Sequence, residues 1–374
     1  MSALPIVICL LAANGDAPHE PRDLTPILAP ILEKSGLPAL GAAIVTSDGL
    51  EAIGAVGLRS SSANERVTAS DQWHLGSCTK AMTATLVARL IARGDLSWDT
   101  TVGDVFGESM PAMDPAWSEV TIEMLLCHRS GASLNLDPAI WQKLESSGGT
   151  PREQRLAFAR DGLAHAPDAP VNSRTTYSNA GFMIAGAMIE EIENATWEEL
   201  MQREVFGPLG MNDSGFGAPG TPDRLDQPLG HTRADSGWRP IPLGPDADNP
   251  AVVGPAGTVH ATLGDWARFA RAHLRGERGD ESFLKSSDWE SLHALPEIDW
   301  SYSPGWMVTE AEWADGKLLR HLGSNTYWVC EISLAPKQDV AVLIVTNVGD
   351  DAAEKPFAET LAALVADHAA HRAK

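Results

Sequence analysis

The 374-residue sequence predicts an α+β chain whose sheet is drawn from both ends, with a largely helical region inserted between them. Three observations carry this. Short apolar runs at 40–46 (LGAAIVT) and 50–57 have strand character and flank Asp48-Gly49, a two-residue hairpin signal. Strand character returns at 305–311, 317–322, 326–334 and 339–347, with Asp315-Gly316 and Pro336 as turns. Residues 95–210 between them read mostly as helices and loops.

In chain order, Arg22 to Ser35 has helical spacing at Leu24, Ile27, Leu28, Ile31 and Leu32, and Gly36 ends it. Trp73 to Gly94 (WHLGSCTKAMTATLVARLIARG) is apolar almost all round, which predicts a buried helix. Its start falls near Gly76 and Ser77. Gly94 suits the C-terminus, and Arg89 and Arg93 complement the dipole of the last turns. Helices follow at 121–131 and 181–195, then after the capping box Thr196-x-x-Glu199, and at 261–274. Residues 213–258, dense in Gly, Pro and Asp, predict a long surface excursion of the kind that lines sites. The last segment, 352–371, is an amphipathic helix with Phe357, Leu361, Leu364 and Val365 on one face.

Composition narrows the function. Fifty acidic against 28 basic residues leave a formal charge of −22, a field that repels phosphate backbones and anionic membranes, so nucleic acid is excluded as a partner. Four scattered cysteines (Cys9, Cys78, Cys127, Cys330) form neither a disulfide framework nor a zinc motif, and no cofactor or metal is expected. No apolar run reaches transmembrane length. Residues 4–13 (LPIVICLLAA) have the apolar core of a signal peptide, and Ala13-Asn14-Gly15 could be its cleavage site, yet no Lys or Arg precedes them. Residues 1–21 therefore read as an N-terminal extension, with an exported and a cytoplasmic location both open.

The chemistry centres on Ser77-Cys78-Thr79-Lys80. A lysine on a buried helix needs a partner or must lose its charge. Ser77, three residues away, shares its face, so hydroxyl and amine form a candidate nucleophile and base. A second Ser-x-x-Lys, Ser282 to Lys285, lies in the charged stretch ERGDESFLKSS and reads as a solvated face. Tyr177-Ser178-Asn179 precedes an apolar helix in a chain with three tyrosines. Tyr177 could take a proton from Ser77 if a nearby lysine cation eases its ionisation, and the Asn179 amide can bond both a substrate carbonyl and that lysine. His321-Leu322-Gly323-Ser324 falls on an expected strand. Gly323 would let a substrate lie close, and the N–H after it could face an oxyanion. Taken singly, each piece has an ordinary structural explanation.

Together the three resemble the serine β-lactamase and penicillin-binding-protein superfamily, specifically its branch of class C β-lactamases, D-alanyl-D-alanine carboxypeptidases, D-aminopeptidases and related esterases. LLCHRSG (125–131), FGPLGMNDSGF (206–216), PAGTVHATLGDWARF (255–269) and YSPGW (302–306) are also similar to that branch, so the resemblance covers residues 22–370. It implies a β-lactamase-like fold: an antiparallel sheet flanked by N- and C-terminal helices with an inserted all-helical region. The α/β part would be 22–72 and 250–374, the helical part 73–249, and the active site would lie at their junction. It further implies that Ser77 forms an acyl-enzyme, that Lys80 and Tyr177 share the proton work, and that the Ser77 and Ser324 N–H groups make the oxyanion hole. Asn179 would orient substrate and His321 would line the site opposite Tyr177. Where β-lactamases carry Lys-Thr-Gly this chain has His321-Leu322-Gly323, which replaces a permanent cation with a group mostly neutral near pH 7. Expectation therefore favours a serine hydrolase of esters or amides, a carboxylesterase or D-amino-acid peptidase, with a β-lactamase or a non-hydrolytic penicillin-binding sensor or scaffold as the alternatives. His128, Ser130 and Cys78 are expected to be structural. Oligomeric state is left open.

Overall fold

The computed structural model describes residues 20–132, 148–295, 301–349 and 351–373. The signal-like segment, Cys9 and the cleavage-like Ala13-Asn14-Gly15 lie outside the described residues.

Strands β1 (Arg22–Asp23), β2 (Ala39–Val45) and β3 (Leu50–Gly57) come from the N-terminal end. From the other end come β9 (Tyr302–Ser303), β10 (Trp306–Ala311), β11 (Gly316–Ser324), β12 (Val329–Ala335) and β13 (Val340–Thr346). They form one eight-stranded sheet in the order β1-β3-β2-β13-β12-β11-β10-β9, antiparallel except where β1 runs parallel to β3. Every residue of β2 and β13 is buried, as expected of central strands covered on both faces. Alternation splits β13 cleanly. Val340, Val342 and Ile344 join one core with Leu28, Phe357 and Leu364, while Ala341, Leu343 and Val345 join a second with Leu263 and Phe269. The first core lies under the helices Thr25–Ser35 and Glu354–Arg372, and the second under Leu263–Glu277.

Two local readings shift. The first helix starts at Thr25, because Arg22 and Asp23 pair with Ala52 and Ile53. Arg22 is held there by Glu51 and Asp367, each 2.6 Å away. In the β2–β3 hairpin, Thr46 and Gly49 exchange both backbone hydrogen bonds (2.8 and 3.2 Å), so the two-residue loop is Ser47-Asp48, one position earlier than the Asp-Gly signal suggests.

The inserted region is mainly helical, but a second sheet bridges it to the rest: β4 (Gln72–His74), β5 (Gly215–Phe216) and β8 (Val259–Thr262), in the order β4-β8-β5. Between them a ribbon of β6 (His231–Arg233) and β7 (Trp238–Pro240) stands on the 213–258 excursion. That excursion is a surface feature only in part. Its last residues, Val252 to Thr258, are buried, and the short helix Gly254–Gly257 packs against the helices Thr79–Arg93 and Asn179–Glu193. Small residues permit this approach: a Cβ on Gly186 would come within 2.4 Å of Pro255.

A buried ion cluster ties the helical part together. The Arg155 guanidinium on helix Pro151–Leu163 is fully enclosed and donates to Glu190 at 2.6 Å, to Glu198 at 2.7 Å and to the Ala251 carbonyl at 2.9 Å. Three helices and the approach to Gly254 thus meet on one cation. Arg155→Ala strands the Glu190 carboxylate, itself 1% exposed, without its cation. The expected loss of unfolding free energy is about 3–5 kcal/mol, read from urea denaturation.

Candidate active site

Ser77 sits in a single 3₁₀ turn, Gly76–Cys78, that leads into the helix Thr79–Arg93, with Gly94 in the left-handed region as its C-cap. The buried helix is therefore preceded by strand β4 and this turn, so Trp73 and His74 are not helical. Thr79 helps hold the turn, its hydroxyl accepting from the Val259 N–H at 3.1 Å.

Two glycines let β11 press on the turn. Gly76 has φ +46°, and a Cβ there would lie 2.3 Å from the Ser324 nitrogen. A Cβ on Gly323 would lie 2.0 Å from the Leu75 carbonyl oxygen and 2.9 Å from the Cys78 nitrogen. Gly323 thus makes room for the turn that carries Ser77 rather than for a substrate, a correction to the sequence reading. The outcome is that Ser77 and Ser324 line one cavity of about 330 Å³, together with Asn179, Met183 and Gly257.

Lys80 is completely buried. Its Nζ donates to the Asn179 Oδ1 and to the Ala256 carbonyl, both at 2.7 Å, and stands 3.1 Å from the Ser77 Oγ. Burial brings its ammonium down to about 7. Lys80 Nζ lies 4.8 Å from the centre of the Tyr177 ring. The expectation that a lysine cation would ease ionisation of this phenol is overturned. Desolvation raises the Tyr177 pKa, and the nearby Ser77 hydroxyl offsets this only in part.

His321 stands beside Tyr177, the ring centres 6.4 Å apart, but it is 2% exposed and does not line the cavity as expected. Its Nδ1–H donates to the Leu322 carbonyl at 2.6 Å, and its Nε2 accepts from the Tyr302 hydroxyl at 2.7 Å. Burial, with Lys80 adding to it, lowers the imidazole to about 3, so it is neutral. Strand parity is the reason: His321 and Gly323 share the buried face of β11, while Leu322 and Ser324 are exposed.

The remaining sequence candidates are structural. His128, at φ +58°, accepts from the Ser178 N–H at 3.1 Å and packs its ring on Tyr177 and Tyr302, each 4.4 Å away. Ser130 accepts from the Ala132 N–H. Cys78 is buried, its thiol donating to the His321 carbonyl at 3.4 Å. Ser282 and Lys285 lie on an exposed loop remote from the cavity lining. Sequence reasoning missed Tyr302 and the Ala256 carbonyl. The first lay within the YSPGW stretch and could have been found there, whereas a backbone acceptor has no residue signature. Among the described residues no group of three or more His, Cys, Asp or Glu is arranged to hold a metal, and no helix is long and apolar enough to cross a membrane.

A larger cleft of about 880 Å³ adjoins the cavity, with Asn249, Asn325 and Thr326 lining both. A serine backed by a buried amine and a phenol, where a turn and a strand end converge, can carry out acyl transfer. A family model described as Beta-lactamase matches residues 24–367. The chain belongs to the beta-lactamase family. Members of this family are serine hydrolases. The chain is 29% identical over 294 residues to penicillin-binding protein 4 of Amycolatopsis lactamdurans, covering 76% of this chain and 74% of that one. Against lovastatin esterase of Penicillium rubens it is 28% identical over 160 residues, 39% of this chain and 40% of the esterase. The fold superposes on the D-amino acid amidase of Ochrobactrum anthropi SV3 with TM-score 0.71 and 19% identity, over 92% of this chain and 98% of that one. The beta-lactamase-like fold expected from sequence is thus the fold observed.

Gly76→Ala should reduce turnover of an activated ester by on the order of 100-fold or more, since it pushes the Ser324 backbone away from Ser77. Gly94→Ala carries the same kind of positive-φ strain (φ +89°) but meets nothing within 4 Å, so it controls for strain without the clash and should leave turnover unchanged.

Proposed function

We propose that this chain hydrolyses an ester or amide with no carboxylate beside the scissile bond, as a carboxylesterase or D-amino-acid peptidase, through an acyl-enzyme on Ser77. The arrangement around Lys80 Nζ is what carries this reading. A neutral amine has two N–H bonds, and two acceptors stand at 2.7 Å, Asn179 and Ala256. Its lone pair is then left for Ser77 at 3.1 Å. With the Lys80 pKa brought to about 7 and that of Tyr177 raised, Lys80 is the better base in acylation.

The proposed sequence balances. Ser77 Oγ bonds to the carbonyl carbon and its proton passes to Lys80, while the N–H groups of Ser77 and Ser324 receive the oxyanion. As the bond to the leaving group breaks, Tyr177 gives that group its proton and recovers one from Lys80. Water attacks the ester by the reverse proton path and regenerates Ser77.

Charge supports the substrate class. Among the described residues lining the cavity and the adjoining cleft there is no Lys, Arg or His, while Asp246 and Asp248 line the cleft. His321, neutral and turned toward Tyr302, offers no cation in place of the β-lactamase lysine. A carboxylate on the substrate would meet no counter-charge there.

Rates on nitrophenyl esters of increasing chain length, a D-alanyl anilide and a chromogenic cephalosporin test the assignment. The esters or the anilide should lead and the cephalosporin trail. Ser77→Ala should abolish turnover, and Ser282→Ala should not. A lasting adduct on Ser77 by intact-mass analysis, with no product released, would make the chain a sensor instead.

The pH profile tests the base. Because the Lys80 pKa is lowered, its proton-free form accumulates as pH rises, so kcat/KM should climb through about pH 7 to a plateau. His321 at about 3 should add no inflection between pH 5 and 8. A kcat/KM that falls as pH rises through 7 would exclude Lys80 as the base.

A further inference from the structure

Asp248 stands outside the Ser77, Lys80 and Tyr177 group, on the 213–258 excursion, with its side chain 9% exposed. Its two oxygens go in different directions. Oδ2 lies 2.8 Å from His74 Nε2, and Oδ1 accepts from Asn325 Nδ2 at 2.9 Å and from the Asn249 N–H at 2.7 Å.

Each of the two side chains then holds one side of the cavity. His74 Nδ1 accepts the Gly76 N–H at 3.0 Å, which fixes the ring proton on Nε2, where it is donated to Asp248. Gly76 immediately precedes Ser77. Asn325 immediately follows Ser324, and its Oδ1 accepts the N–H groups of Tyr327 and Trp328 at 3.1 and 3.2 Å. One carboxylate therefore joins the turn that carries the Ser77 N–H to the strand end that carries the Ser324 N–H. The His74 side chain is fully buried, so the first half of this bridge has no water to replace it.

We propose that Asp248 is a positioning residue that clamps the two halves of the oxyanion site in register, through His74 on one side and Asn325 on the other. This rests on the reading that Ser77 is the nucleophile and that its N–H and that of Ser324 receive the oxyanion. The two glycine contacts bring β11 against the turn but are steric and do not pull. The Asp248 bridge is attractive and spans the same gap. An asparagine at 248 has one acceptor oxygen and one donor nitrogen, so it can serve only one of the two facing donors.

The test compares the wild-type chain with Asp248→Asn, Asp248→Glu, His74→Asn and Ser77→Ala. Two quantities are read: kcat and KM for nitrophenyl acetate, and the dissociation constant of methylboronic acid. This boronic acid forms a tetrahedral adduct on a serine and is too small to reach Asp248. Asp248→Asn should lower kcat by on the order of 10- to 100-fold with KM within about two-fold. It should weaken methylboronic acid by a similar factor, and Asp248→Glu, which keeps both acceptors, should recover part of each. His74→Asn keeps an acceptor for the Gly76 N–H but loses Asp248, and should repeat the pattern if the Asp248 variants do not fold. Wild-type kcat and boronic acid affinity in Asp248→Asn or in His74→Asn would overturn the clamp. So would a raised KM with unchanged boronic acid affinity, which would make Asp248 a substrate contact. If Ser77→Ala kept its turnover, the nucleophile assignment itself would fail, a result distinct from failure of the clamp.

Discussion

The enclosure of one amine, Lys80 Nζ, is the constraint on which the rest of the structure depends. An ammonium removed from water is costly unless its hydrogen bonds are replaced. Here the replacements come from three places far apart in the chain: Ser77 on its own turn, Asn179 at the start of the next buried helix, and the Ala256 carbonyl at the end of the excursion. Bringing the Ala256 carbonyl to that point requires a short helix of small residues wedged between two larger helices. The Gly186–Pro255 contact and the Arg155 cluster, which holds the Ala251 carbonyl, both serve that placement.

The sheet contributes in a different way. It supplies a strand end, Gly323-Ser324, and its two covered faces fix the height at which that end meets the turn that carries Ser77. Register matters here, because a slip of one residue exchanges the faces of a strand. The shared face of His321 and Gly323 is consumed in packing on the turn and on Tyr302, which leaves Ser324 for the cavity. The juxtaposition of Ser77 and Ser324 is therefore a by-product of close backbone approach, possible only where two side chains are missing.

Much of this was legible in the sequence, and for definite reasons. Apolar periodicity locates the buried helix, and the lysine inside it marks the candidate site. Alternating strands at both ends and helical spacing between them specified the architecture. What escaped reading lacked a residue code. The Ala256 carbonyl could belong to any amino acid, and the 213–258 stretch has no periodicity from which burial of its last residues could be inferred. The side to which His321 faces depends on strand parity, and the strand was placed without fixing its register. Proximity to a lysine suggests easier ionisation of Tyr177, but desolvation, which depends on packing and not on local sequence, is the larger effect.

The electrostatics of the site follow from what is neutral in it. His128 and His321 lie within reach of Lys80, and a charge on either would depress the lysine further by like-charge repulsion. Burial holds both imidazoles well below their ordinary value, the Ser178 N–H occupies the Nδ1 of one, and the Tyr302 hydroxyl occupies the Nε2 of the other. Each ring thus accepts a hydrogen bond at the nitrogen that would otherwise take a proton. Lys80 is left as the group that titrates near 7, shifted by desolvation rather than by a neighbouring cation. A lysine at position 321 would add a cation beside Tyr177 and couple to Lys80. The histidine removes that coupling.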